Sequence, residues 1–104
     1  MEITLKVEPA AKDRFRLKIN ENDKQAIEIV NASKVIVEIS ENKDLIVQPT
    51  AIHTYKTYGT LNSSEINEWI QNHNFHNYEK GNPTPLIFEF RTEGSIHCFR
   101  FLSN

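Results

Sequence analysis

Cys98 and four histidines, His53, His73, His76 and His97, are the side chains of this 104-residue chain best suited to nucleophilic or metal chemistry. On paper they could be assembled into a zinc site. The spacing argues against it. Metal-ligand pairs usually stand i, i+4 on a helix or as Cys-x-x-Cys, whereas His73 and His76 stand three apart and the chain has one cysteine. The reading adopted is no metal and no cofactor. His73 or His76 instead caps a helix C-terminus, where an imidazolium meets the negative end of the dipole. His97 and Cys98 are neighbours on a strand and point to opposite faces, which rules them out as a base and nucleophile pair. Cys98 then reads as a buried, inert thiol and His97 as the wet end of an aromatic face.

Binding chemistry has two further candidate locations. Residues 49–61 (PTAIHTYKTYGTL) and 74–85 (NFHNYEKGNPTP) match neither strand nor helix periodicity and flank the chain's clearest helix. Long irregular segments in small domains often carry function, which marks Tyr55, Tyr58, His76 and Tyr78 as candidate partner-binding residues. Arg14, Arg16 and Lys18 form an outward basic row, helped by Lys6, that could follow a nucleic-acid backbone. Glu2 and Glu8 share that face, so ordinary cross-strand ion pairing is the plainer reading and nucleic acid is disfavoured.

Markers of the common enzyme classes are absent. Glycines at 59, 81 and 94 build no phosphate loop, and neither Gly-x-Ser-x-Gly, His-Glu-x-x-His nor a calcium loop occurs. The expectation is therefore a small non-catalytic protein-interaction module, such as a bacterial regulator, inhibitor or immunity-type partner. The alternatives are a nucleic-acid or small-ligand domain using the basic strand face, and a metal-dependent protein using the clustered histidines.

The elements that must position these residues are mainly strands. Ile3, Leu5 and Val7 alternate with polar residues over 2–8, and Phe15, Leu17 and Ile19 do so over 13–19, with Pro9–Lys12 as the turn of a first hairpin. Asn20–Lys24 reads as a polar turn, and Ile27 and Ile29 as a short strand in competition with a brief helix. Residues 34–40 and 45–47 read as a second hairpin across a connection centred on Asn42-Lys43.

A helix is predicted over 63–73, with Asn62 as cap, Glu65 completing a capping box and Leu61 stapled to Ile66. Ile66, Trp69, Ile70 and His73 form its apolar stripe. A last hairpin with a two-residue loop at Glu93-Gly94 pairs Phe90 with His97, Phe88 with Phe99 and Leu86 with Phe101. The fold class is thus α+β: a curved, mainly antiparallel sheet of about five to seven strands with one amphipathic helix packed on one face.

Length and composition set the frame. The 104 residues suit a single domain spanning 1–104, and 38% hydrophobic with 10% aromatic residues suffice for its core. Twelve basic against fourteen acidic residues give a net charge of −2, without the basic excess of a phosphate-backbone binder. A lone cysteine, no apolar run of membrane-spanning length and an alternating N-terminus unlike a signal peptide predict a soluble cytoplasmic protein. Open sheet edges make a homodimer through an edge strand plausible.

Overall fold

The computed structural model describes residues 1–39, 46–47 and 51–104. Strands β1 (Glu2–Ala11) and β2 (Arg14–Ile19) form the first hairpin, with Leu5 opposite Ile19 and Val7 opposite Leu17. Its loop is Lys12-Asp13, later than the Pro9–Lys12 turn expected. The register shifts between Pro9 and Ala11, so a bulge accommodates the proline within the strand. Asp13 then takes the left-handed conformation at φ 59°, which aspartate tolerates.

Residues 20–32 correct the sequence reading. The stretch read as a turn is helix α1 (Glu21–Ala26), and Ile29–Asn31 form a 3-10 turn, the competing brief helix and not the strand. The Asn20 carbonyl accepts from the amides of both Asp23 and Lys24 at 3.0 Å, and Glu21 and Asp23 sit favourably in the first turn of the helix. Glu28 between the two helices is left-handed (φ 53°, ψ 56°), and Ile27 and Ile29 on either side of it are both buried. A helix end followed by a kink therefore imitates the alternation of a strand.

Strands β3 (Lys34–Glu38) and β4 (Ile46–Val47) pair antiparallel as expected. Ser40, Leu45 and the Asn42-Lys43 connection lie outside the described residues, as do Pro49 and Thr50. Residues 51–61 are not irregular. Helix α2 (Ile52–Tyr58) ends at Gly59, whose φ of 67° lets its amide turn back to the Tyr55 carbonyl at 2.8 Å, and β5 (Thr60–Leu61) follows.

Helix α3 (Ser64–Asn72) is capped by Ser63, not Asn62: the Ser63 hydroxyl accepts from the Ile66 amide at 3.1 Å. That places Leu61 in β5, too far back to act as a staple, although Leu61 and Ile66 are both wholly buried. Ile66, Trp69 and Ile70 are the buried residues of α3, as the stripe predicts.

In the last hairpin, β6 (Pro85–Glu93) and β7 (Ile96–Ser103), Phe90 lies opposite Phe99, Phe88 opposite Phe101 and Thr92 opposite His97. The loop is Gly94-Ser95, one residue later than expected. With φ of 60°, Gly94 occupies the first central position of a II′-type turn, where glycine is required. Moving the loop by one residue slides the pairing by two, so the two aromatic sets still share a face.

The strands form one curled, mixed sheet in the order β4-β3-β7-β6-β1-β2-β5. Pairing is antiparallel except between β3 and β7, where short connections do not dictate direction. The inner face holds the core: Leu5, Val7, Leu17, Ile19, Val37, Leu86, Phe88 and Phe99 are all buried against α2 and α3 residues. Among the described residues, no helix is long and apolar enough to cross a membrane.

Candidate functional site

Tyr55 lies on the inward side of α2 and is wholly buried. Its hydroxyl shares a 2.7 Å hydrogen bond with His97 Nδ1, and its ring packs edge-on against Phe99 and His97. It therefore contributes nothing to an exposed surface. His97 is likewise buried, contrary to a place at the wet end of the aromatic face. Burial pushes the tyrosine pKa up and the histidine pKa down, with Glu28 partly opposing the latter. The outcome is a neutral polar pair that satisfies itself inside the core.

The other histidines are dispersed. His73 ends α3 with Nδ1 3.0 Å from the Trp69 carbonyl and its ring stacked on Phe75, which is the expected capping role. His76 is half-buried against Phe15, and its Nδ1 has no hydrogen-bond partner among the described residues. His53 is exposed on α2. Cys98 is buried on the face of β7 opposite His97, and burial raises its thiol pKa. Among the described residues, no three His, Cys, Asp or Glu side chains are placed to share a metal ion.

Tyr58, Tyr78 and the basic row, unlike these, come together. Lys18 points to the outer face of β2, and its ammonium donates to the Tyr58 carbonyl at the end of α2. Lys6 is its cross-strand neighbour on β1. One pair further along, Arg16 binds Glu8 at 2.6 Å. Tyr78 lies close to Glu8: burial raises its pKa first, and the Glu8 charge adds to the rise. Arg14 is exposed beside the hairpin loop. The outer face therefore carries Lys18, Lys6, Arg16 and Glu8; Tyr58, 57% exposed, adjoins it at the Lys18 end, and Tyr78, half-buried against the core, lies near Glu8.

Lys24 completes the Tyr58 end. Its stem covers Gly59, and its ammonium holds Glu21 at 2.7 Å. Burial and the adjacent Lys24 lower the Lys18 pKa, which marks a crowded cationic corner. Nothing in the local sequence links Lys24 to the row, because the signal is tertiary: the glycine that follows α2 admits a lysine stem from α1. Helix α3 buttresses the same hairpin, with Asn67 accepting from the Phe15 amide at 2.9 Å and Gln71 donating to the Asp13 carbonyl. Comparison of the chain with protein-family models, curated proteins and solved structures returns no match.

Proposed function

We propose that this chain is a small non-catalytic protein-interaction module, acting as a cytoplasmic regulator or inhibitor of bacterial type. Its contact surface is the outer face of β1 and β2, framed by Tyr58 and Tyr78. One observation carries the reading: tyrosines twenty residues apart in sequence lie near a face where Lys6, Arg14, Arg16 and Lys18 outnumber Glu2 and Glu8. Tyrosine and arginine supply most of the energy at protein interfaces, and an excess of cations selects an acidic partner. The β2 edge is already occupied by β5 and by Asn67, which favours side-chain docking on this face over strand addition at that edge. A single, buried cysteine agrees with a reducing compartment.

The same combination of cations and aromatic rings supports a second reading, a single-stranded nucleic acid following the row. It is weaker because the chain carries a net charge of −2, without the basic excess of a phosphate-backbone binder, and Glu2 and Glu8 share the face. Immobilised wild-type chain and the Tyr58→Ala, Tyr78→Ala and Arg14→Glu variants, exposed to native cell lysate, separate the two. A stoichiometric protein retained by wild type and lost from the variants supports the module. Nucleic acid released by moderate salt replaces it with the second reading, and a protein retained equally by all four overturns the site.

A further inference from the structure

A cleft of about 440 Å³ separates the α1 and 3-10 segment from α2, and Lys24, Glu28, Ile29, Val30, Lys56 and Thr57 are among its lining. We infer that it binds a small zwitterion, an amino acid or dipeptide, with Lys56 holding the carboxylate, Glu28 the ammonium, and Ile29 and Val30 receiving an apolar side chain. The volume falls within the ~300–1,000 Å³ usual for small-ligand sites. Such sites combine an apolar lining with a few charged groups that fix orientation.

The charges are distributed unequally. Glu21 and Lys24 neutralise each other at 2.7 Å, whereas Glu28 and Lys56, on opposite walls, form no ion pair among the described residues. Among the described residues, the Glu28 carboxylate accepts a hydrogen bond from Asn31 alone, at 3.2 Å. One uncompensated acid and one uncompensated base across a cleft match a ligand carrying both charges and discriminate against a ligand carrying either alone. The Glu28 backbone is left-handed, a conformation unusual for glutamate, and bonds from its amide to the Gln25 carbonyl and from the Asn31 amide to its carbonyl hold it there. Val30 beside it is 63% exposed.

The test is titration of the ¹⁵N-labelled full chain with L-leucine, leucinamide, 4-methylpentanoate and leucyl-leucine, read from amide chemical shifts. Saturable shifts at Val30, Asn31, Lys56 and Thr57 are expected with leucine or leucyl-leucine. Leucinamide and 4-methylpentanoate, each missing one charge, should bind at least about tenfold more weakly. Lys56→Met should remove the preference for leucine over leucinamide, and Glu28→Gln the preference over 4-methylpentanoate. Glu28→Gly serves where folding is in question, because glycine suits the backbone at that position; it should fold and lose binding. Absence of saturable shifts, equal binding of all four compounds, or undiminished binding by folded Glu28→Gly overturns the inference.

Discussion

The two hairpins of this sheet, β1 with β2 and β6 with β7, follow the same alternation and meet along β1 and β6, yet they do different work. In β6 and β7 the inner face is aromatic, with Phe88 and Phe101 packed edge to face, Phe90 and Phe99 tilted against each other, and Trp69 and Tyr55 joining them. The outer face is balanced. Residues 85–103 hold two basic and two acidic side chains; Arg100 pairs with Glu89 at 2.6 Å, and Arg91 reaches Glu38 and Glu93 at 3.6 Å. Residues 1–19 hold five basic against three acidic side chains. One hairpin is internally satisfied and the other has charge to spare. The proposed recognition is placed on the second, where Lys6, Arg14 and Lys18 have no ion pair among the described residues.

Truncation in the central hairpin should break the comparison most severely. Phe99→Ala removes a wholly buried ring contacting Tyr55 and Phe90 and should cost about 3–5 kcal/mol in denaturant unfolding. A loss below about 1 kcal/mol would mean that this face is not the core.

Tyr55→Phe should cost about 1–3 kcal/mol by leaving His97 Nδ1 unpaired in the core. The pH response has a definite sign. Folding depresses the His97 pKa, so its contribution is fully present above the unfolded value near 6.5 and is lost as pH falls through the lower folded value. Wild type should therefore weaken progressively below about pH 6.5, and His97→Phe should flatten that limb of the stability curve.

Tyr58→Ala sharpens the contrast from the other hairpin. Partner binding should weaken at least tenfold, about 1.4 kcal/mol, while stability changes by no more than about 0.5 kcal/mol. Isothermal titration and thermal melts on the same samples separate the two quantities. Arg100→Met should have the smallest effect. Its pair with Glu89 is more than a third exposed on both sides, so about 0.2–1 kcal/mol is expected, shrinking with salt, and partner binding should not change.

Strand alternation and the α3 stripe were readable because a period of two or 3.6 survives in local sequence, as Ile3-Leu5-Val7 and Ile66-Trp69-Ile70 show. The sheet class follows from these, and the parallel pairing of β3 with β7 does not, since it joins strands remote in sequence. Helix α2 escaped because Ile-His-Thr-Tyr-Lys-Thr-Tyr lacks strong helix formers and is held by burial of Tyr55; Gly59 was its one local marker. The candidate surface was half legible. Tyr58, Tyr78 and the basic row were each visible, but their meeting depends on the Tyr58 carbonyl reaching Lys18 and on residues 78–84 folding back beside β1, where the Val7 amide donates to the Thr84 carbonyl.

The most direct test of the account is quantitative partner capture from native lysate with three immobilised proteins: wild type, a Tyr58→Ala/Tyr78→Ala double variant, and Lys34→Glu, which alters an exposed cation on β3 away from the proposed face. The account predicts one stoichiometric protein retained by wild type and Lys34→Glu and lost from the double variant. Retention by a correctly folded double variant, or loss from Lys34→Glu alone, would contradict it.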